Sequence, residues 1–195
     1  MRKPSSLFKR RGSMLLALVL ISVATAMLIW WLPWRAPRAV GVATAMLIWW
    51  LPWRAPRAVE DFPLALLDGR EAKLSDFRGR PLLVNFWATS CAPCVEELPA
   101  LLALHAEFAP QRVAVLAIAM PYDPPLHVAQ FAEQHHLPYP VALDVRADAV
   151  RAFGGVPYIP ATFLLDRSGR IVYSHAGLLD AARLRQAIEL ELARS

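Results

Sequence analysis

The body of the chain, residues 60–195, alternates short apolar runs with segments in which apolar residues recur every three or four positions. Two runs of strand length, at 81–88 and 112–120, are apolar apart from Asn85 and Arg112 and predict strands that are buried on both faces. Residues 62–74 predict a small hairpin around an Asp-Gly turn, and residues 161–176 predict a second hairpin. Together these patterns predict the strands of a central sheet.

Helical spacing of apolar residues predicts helices at 93–108, 124–136 and 178–194, with a short one near 147–154. Four residues of the first helix are expected to share one side: Leu98, Leu101, Leu102 and His105. Strands separated by helices, then a hairpin and a last helix, predict an α/β sandwich with a mixed central sheet. About 135 residues suffice to build its core.

The first 59 residues follow another pattern. Residues 14–32 are nineteen apolar or small residues without a charge, about enough to cross a bilayer as a helix. Residues 1–13 carry five Lys and Arg, which favour a cytoplasmic N-terminus. We expect a basic cytoplasmic tail, a single anchor at 14–32 in the inner membrane and a domain in the periplasm or another extracytoplasmic space. A signal peptide cleaved near residues 24–26 is the alternative.

One segment is duplicated: "VATAMLIWWLPWRAPRAV" occurs without a mismatch at 23–40 and at 42–59. Two copies are too few for a solenoid. The apolar run of the second copy, 39–51, spans roughly 20 Å as a helix, short of a hydrocarbon core of about 30 Å. We therefore expect residues 33–59 to be a linker that lies along the outer membrane face.

The formal net charge of +5 does not indicate a nucleic-acid-binding protein. Residues 1–59 hold nine Lys and Arg and no acidic residue, which leaves 12 basic against 16 acidic residues in 60–195. Because a basic face on the folded domain is the minimum for nucleic-acid binding, we expect no nucleic-acid partner.

The two cysteines of the chain, Cys91 and Cys94, follow the apolar run 81–88 and stand where the first helix begins. One pair without a spaced histidine cluster does not make a four-ligand zinc site. A structural disulfide across two residues closes too small a loop to stabilise much. A redox pair is favoured, since C-x-x-C after a buried strand in an α/β pattern is typical of thioredoxin-type chemistry.

The position of the pair predicts different roles for the two sulfurs. Unpaired N–H groups and the helix dipole at the helix start favour a thiolate at Cys91, which is the attacking species in disulfide exchange. Cys94 lies one turn further on and can reach back to Cys91. Pro93 is tolerated between them because its missing N–H has no partner in a first turn.

The segment "NFWATSCAPCVEELP" resembles the active-site segment of the thioredoxin superfamily, and within it the membrane-anchored TlpA/ResA/CcmG-like thiol–disulfide oxidoreductases. "VPYIPATFLLDRSGRIV" resembles the loop that carries the cis-proline in this superfamily, and "DFPLALLDGREAKLSDFRGRP" resembles the hairpin of its extracytoplasmic members. The resemblance covers residues 61–195. It implies a thioredoxin-like three-layer sandwich over residues 60–195.

The resemblance also implies roles for particular residues. Glu97 is expected to handle the proton of Cys94, because Asn85 stands where thioredoxin has a buried aspartate and an amide cannot take a proton. The Ile159–Pro160 bond is expected to be cis, whereas Pro157 is an ordinary loop proline. Substrate binding is expected at Pro160, Ile159 and Trp87, and structural support near the site from Pro93, Asn85 and Pro99.

The resemblance implies an extracytoplasmic protein disulfide reductase with no cofactor other than its redox-active pair, Cys91 and Cys94. Implied partners are a membrane electron donor of the CcdA/DsbD type and substrate proteins, either apocytochrome c or copper-assembly proteins. The alternative is a Sco-like copper-binding assembly protein, which shares the fold but resembles C-x-x-x-C with a distant histidine. Here the spacing is two residues, and His175 is expected to make only a local hydrogen bond.

Overall fold

The structure, a computed structural model, describes residues 56–194. In this part of the chain seven strands form one sheet. They are β1 (Pro63–Leu66), β2 (Glu71–Lys73), β3 (Leu82–Trp87), β4 (Ala114–Ala119), β5 (Val141–Leu143), β6 (Ala161–Leu165) and β7 (Ile171–Ala176). Both predicted hairpins, β1–β2 and β6–β7, and both predicted buried strands, β3 and β4, are present.

The sheet is mixed, in the order β2–β1–β5–β4–β3–β6–β7. Strands β3, β4 and β5 are parallel, while β1 and β6 pair antiparallel to their neighbours in this central part. Parallel strands end at the same edge, so the loops that follow β3, β4 and β5 meet there. The predicted mixed α/β sandwich is confirmed for residues 56–194.

Within residues 56–194, four α-helices pack on the sheet: α1 (Ala92–Phe108), α2 (Pro125–Gln134), α3 (Asp148–Ala152) and α4 (Ala181–Ala193). Short 3₁₀ turns occupy Leu74–Phe77 and Ala109–Gln111. Helix α4 begins three residues later than predicted because the Asp180 carboxylate accepts a hydrogen bond from the Arg183 N–H at 3.1 Å and caps the helix there.

Strand β3 divides its side chains between two hydrophobic layers. Leu82, Val84 and Phe86 belong to the cluster that includes residues of α3, whereas Leu83 and Trp87 belong to the cluster with α1 and α4. Successive side chains of a strand point to opposite faces. The polar Asn85 therefore faces the layer of α1, where the cysteines lie.

The buried side of α1 differs from the predicted one. Its buried residues are Cys94, Glu97, Leu98, Leu101, Leu104 and Phe108. Leu102 and His105, which we expected on that side, are only half-buried at its margin. Apolar spacing misplaced this face because Glu97, a charged residue type, lies inside it at 4% exposure.

The folded unit begins at Pro56, so residues 56–59 extend the domain predicted from residue 60. The predicted tail at 1–13, the anchor at 14–32 and most of the linker at 33–59 lie outside the described residues. No helix within residues 56–194 is both long and apolar enough to cross a membrane.

Candidate redox site

Cys91 and Cys94 are joined by a disulfide at the start of α1, with the sulfur atoms 2.13 Å apart and the Cα atoms 5.3 Å apart. Cys91 is the extended N-cap residue, and Pro93 occupies the first turn. The Cys91 Sγ accepts a hydrogen bond from the Cys94 N–H at 3.3 Å. An N–H aimed at this sulfur also favours a thiolate once the pair is reduced.

The two sulfurs differ in access. Cys91 is half-buried at the surface, whereas Cys94 is 6% exposed and packs among the residues of the α1 layer. A partner sulfur can therefore approach Cys91 more easily than Cys94. The order of reactivity predicted from the sequence, in which Cys91 attacks first, stays a prediction that this difference in access supports.

Glu97 lies one turn beyond Cys94, and both of its carboxylate oxygens accept a hydrogen bond. The Asn85 side-chain amide donates to Oε1 at 2.9 Å, and the Leu179 backbone N–H donates to Oε2 at 3.0 Å. Asn85 also donates to the Thr162 hydroxyl at 3.1 Å. Glu97 is therefore a buried residue whose two carboxylate oxygens are both hydrogen-bonded, and not a solvated helix residue like Glu96.

Opposing effects act on the Glu97 carboxyl. Burial, the largest effect, disfavours its charge and raises its pKa, while the bonds from Asn85 and Leu179 and the nearby His175 oppose that rise. Tyr139 is 6% exposed, and burial together with the Glu97 charge raises its pKa to about 12. Glu97 can therefore exchange a proton closer to neutral pH than an exposed glutamate, while Tyr139 stays neutral.

The Ile159–Pro160 peptide bond is cis, as predicted, and Pro157 is not cis. Pro160 is buried and Ile159 is half-buried. Ile159 packs against the hydrophobic cluster that contains Cys94, as Cys91 does. The Pro160 carbonyl accepts a hydrogen bond from the Gly177 N–H at 2.8 Å, which ties this loop to the turn after β7.

Trp87 does not have the surface position that substrate binding requires. Its side chain is 5% exposed, and its ring lies 4.9 Å from the Phe131 ring, centroid to centroid. We correct the expectation of direct substrate contact: the ring belongs to the core because position 87 continues the buried face of β3. It belongs to the same hydrophobic cluster as Cys94, Leu101 and Leu104 of α1.

Pro93 and Pro99 both lie on exposed positions of α1. Pro93 fits the first turn, as predicted. Pro99 lies inside the helix, where proline removes one backbone hydrogen bond and bends the axis. Their supporting roles near the site stay predictions.

Sequence analysis did not anticipate a second buried carboxylate beside the pair. Asp123 follows β4, is 6% exposed, and accepts two hydrogen bonds of 2.6 Å from Thr89, one from the backbone N–H and one from the hydroxyl. Thr89 is two residues before Cys91. Asp123 thus holds in place the loop that carries Cys91. Thr89 and Asp123 come together only because the parallel strands β3 and β4 end at the same edge of the sheet.

Sequence analysis also missed Thr162 and the Leu179 N–H as partners in the Glu97 network. No local signal marks them, because a threonine in a strand and a backbone N–H in a turn are ordinary. His175 makes the predicted local hydrogen bond: its Nε2 lies 2.8 Å from the Leu178 carbonyl oxygen.

A groove of about 770 Å³ lies away from the cysteines, between the β1–β2 hairpin and the loop after β5. Asp144 lines it, but its carboxylate accepts the N–H groups of Ala149 and Val150 and so holds the start of α3. Among residues 56–194, no group of three or more His, Cys, Asp or Glu side chains could hold a metal ion.

Comparison with known proteins places this site in a family context. Residues 54–188 match the family described as Redoxin. The chain is 36% identical over 129 residues to the thiol-disulfide oxidoreductase ResA of Geobacillus thermodenitrificans, covering 66% of this chain and 73% of that protein. It is 33% identical over 133 residues to the thioredoxin-like protein YneN of Bacillus subtilis, covering 67% and 76%.

Two solved structures that resemble this chain are also of thioredoxin-like proteins. A putative thioredoxin from Neisseria meningitidis superposes with a TM-score of 0.65 at 31% identity, covering 70% of this chain and 91% of the other. A putative thiol:disulfide interchange protein DsbE from Chlorobium tepidum gives a TM-score of 0.64 at 28% identity, covering 70% and 96%. Residues 56–194 thus have a thioredoxin-like fold.

Proposed function

This chain belongs to the redoxin family, and from that membership we propose that it is a thiol–disulfide oxidoreductase that reduces protein disulfides outside the cytoplasm. The relatives named ResA, which are thiol-disulfide oxidoreductases, support the activity. The observation that carries it is the Cys91–Cys94 disulfide at the start of α1, with one sulfur accessible and the other buried.

In the proposed reaction the reduced pair donates two electrons to a partner disulfide. The Cys91 thiolate attacks one partner sulfur, the partner S–S bond breaks, and a mixed disulfide forms as a partner thiolate leaves. Cys94, as a thiolate, then attacks the Cys91 sulfur, and the second partner thiolate leaves. The Cys91–Cys94 disulfide results, and both partner thiolates take up protons.

Glu97 is proposed to accept the Cys94 proton in the second step. Its raised pKa brings it closer to the working pH than an exposed carboxylate would be, and that match favours general-base catalysis. Asn85 cannot replace it, because an amide neither gains nor loses a proton in this range. Asn85 is proposed to orient the carboxylate through its bond to Oε1.

The surroundings of the reaction are proposed from the sequence. Residues 14–32 would anchor the chain in the inner membrane with the folded domain in the periplasm or another extracytoplasmic space. Such a space lacks a soluble reductant pool, so a membrane electron donor of the CcdA/DsbD type would reduce the pair again. Substrates would be apocytochrome c or copper-assembly proteins. No bound cofactor enters this scheme.

The copper-binding alternative is not favoured. Cys91 and Cys94 are bonded to each other, and the imidazole of His175 is engaged with the Leu178 carbonyl. Copper content measured on the purified chain, next to reduction of insulin disulfides, separates the two functions. A chain that carries copper and reduces no disulfide would overturn the reductase proposal.

Trapping tests the assignment of the two sulfurs. Cys94→Ala removes the resolving step, so partners should stay attached through Cys91 and run as adducts that dithiothreitol releases. Cys91→Ala should abolish turnover and trapping, because Cys94 is buried. Adducts on the Cys91 variant alone would reverse the assignment.

A reporter fused after Ser195 tests the location. An enzyme that folds only after export should be active in this fusion, and one that works only in the cytoplasm should be inactive. The opposite pattern would mean that both copies of the duplicated segment cross the membrane.

A further inference from the structure

Three polar residues lie in a row across neighbouring strands of the sheet. Asn85 on β3 is paired with Thr162 on β6, and Thr162 is paired with His175 on β7. Directly paired residues point to the same face of a sheet. His175 therefore faces the same layer as Asn85, the layer in which Glu97 is buried.

The turn that follows β7 connects His175 to Glu97. The His175 Nε2 lies 2.8 Å from the Leu178 carbonyl oxygen, and the next residue, Leu179, donates its backbone N–H to Glu97 Oε2 at 3.0 Å. Gly177 allows this turn with a φ of 101°, a conformation that other residues rarely adopt. The peptide group that His175 holds is thus the one whose N–H reaches Glu97.

We propose that His175 is a positioning residue for Glu97: by donating from Nε2 to the Leu178 carbonyl, it aims the N–H of the same peptide group at the Glu97 carboxylate. The proposal extends the reductase function, in which Glu97 accepts a proton. His175 contacts neither cysteine in this scheme, and it acts through the carboxylate.

A peptide plane is rigid, which makes this coupling direct. The carbonyl of Leu178 and the N–H of Leu179 belong to one planar group and point in opposite directions. A donor that fixes the carbonyl therefore fixes the direction of the N–H as well. Without the imidazole, the plane can rotate, and Glu97 Oε2 loses its partner inside a buried site.

Charge adds a second effect. A positive His175 favours the ionised form of Glu97. The other titratable groups around the carboxylate are Tyr139, whose pKa lies near 12, and the cysteine pair on α1. Tyr139 stays neutral because of its raised pKa, and the cysteines do not titrate while they form a disulfide.

Two substitutions distinguish the effect of the hydrogen bond that His175 donates from the effect of its charge. In His175→Gln, the side-chain amide can still donate to the Leu178 carbonyl but carries no charge. In His175→Ala, both the donor and the charge are absent. His127→Gln is the matched control, because His127 is exposed on α2 and belongs to none of these contacts.

The measurement is made on the full-length chain in its oxidised form, with ¹³C-labelled glutamate and ¹⁵N-labelled leucine followed by NMR. His175→Ala should raise the pKa of the Glu97 carboxyl and speed hydrogen exchange of the Leu179 N–H roughly five- to tenfold, the effect of one lost hydrogen bond. His175→Gln should keep the slow exchange and raise the pKa by a smaller amount. His127→Gln should change neither.

The proposal fails if His175→Ala leaves both the Leu179 exchange rate and the Glu97 pKa as in the parent. It also fails if His127→Gln shifts them equally. If His175→Ala does not fold, fast Leu179 exchange in a folded His175→Gln variant overturns it, and parent-like exchange supports it. These readouts need no substrate, so failure of the reductase proposal would be seen separately, as absent insulin reduction by the parent chain.

Discussion

Glu97 combines a burial that disfavours its charge with two hydrogen bonds that favour it. At 4% exposure it has lost most of its solvation, yet Asn85 and Leu179 each supply one donor. Burial is the larger effect, so the pKa is raised. A carboxyl held in this balance can change protonation at small cost, which suits a group that exchanges a proton with Cys94.

Glu97→Gln should slow the resolving step, because the amide cannot accept the Cys94 proton. The expected loss is on the order of a hundredfold, and the rise of the rate with pH that follows Glu97 ionisation should disappear. Single-turnover resolution of a mixed disulfide on Cys91, measured from acid to neutral pH, provides the test. Glu96→Gln is the control, since Glu96 is the exposed neighbour. An unchanged profile in Glu97→Gln would remove Glu97 from the mechanism.

The free energy of unfolding should also depend on pH in the way that the raised pKa of Glu97 requires. A raised pKa means that the folded state binds this proton more tightly than the unfolded state. The Glu97 contribution is therefore complete at pH values below the pKa of an unfolded glutamate and is lost as pH rises through the raised value. Urea unfolding of the oxidised protein between about pH 4 and pH 8 should show the parent losing stability relative to Glu97→Gln. A parent that gains stability relative to Glu97→Gln as pH rises would contradict the raised pKa of Glu97.

At the scale of elements, the site depends on two loops that meet because β3 and β4 are parallel neighbours. The Met120 N–H donates to the Trp87 carbonyl at 2.9 Å, and Asp123 accepts both donors of Thr89. The loop after β4 thus holds the loop that presents Cys91. Both oxygens of the Asp123 carboxylate accept hydrogen bonds from Thr89. The presence of this buried carboxylate beside the site therefore has a structural explanation.

Asp123→Asn should destabilise the protein by about 1–3 kcal/mol, because the amide offers one acceptor oxygen where the carboxylate offers two, so the two short bonds from Thr89 cannot both keep their geometry. Asp61→Asn is the matched control: Asp61 accepts the same two donor types from Ser75, at 2.8 Å and 2.9 Å, but at an exposed site. Water can replace a bond there, so the expected loss is smaller. Equal losses in urea unfolding would show that burial of Asp123 does not matter.

At the scale of the whole molecule, the chain enters the folded unit at the end of the sheet opposite the cysteines. Residues 57–59 lie beside the start of β7, where the Ile171 N–H donates to the Arg57 carbonyl at 2.8 Å. Strand β7 ends at Ala176, which is paired with Ala161 next to Pro160. Val59 is 2% exposed, and the Arg57 side chain donates to the Ala152 carbonyl at 2.8 Å. The end of the second repeat copy is therefore part of the fold.

Deleting residues 41–59 should leave the folded unit unchanged. The deletion joins Val40 to Glu60 and restores the same "PRAV" sequence before Glu60, because the two copies are identical. Deleting 56–59 alone removes that sequence, and the lost burial of Val59 should cost about 2 kcal/mol, or roughly 4–8 °C in Tm. Thermal unfolding of the two variants and the parent makes the comparison. A large loss in the 41–59 deletion would mean that the second copy supports the domain in another way.

The sequence by itself determined the elements and the chemistry. Nearly continuous apolar runs predicted β3 and β4, helical spacing predicted α1, α2 and α4, and the position of Cys91 and Cys94 between a buried strand and a helix predicted a redox pair. These are local properties, since strand and helix periods and the geometry of a helix start depend on neighbouring residues. The resemblance to the family implied the cis bond at Pro160 and a role for Glu97 in handling the proton of Cys94.

Only the tertiary structure decided what surrounds the pair. The register of β3, β6 and β7 brings Asn85, Thr162 and His175 into one row, and their separations along the chain reach 90 residues. A one-residue shift in any pairing would turn these side chains to the other face. The burial of Glu97 and Trp87, and the bonds from Asp123 to Thr89, likewise depend on which elements meet. No local pattern encodes those meetings, because they arise from packing the whole sheet against its helices.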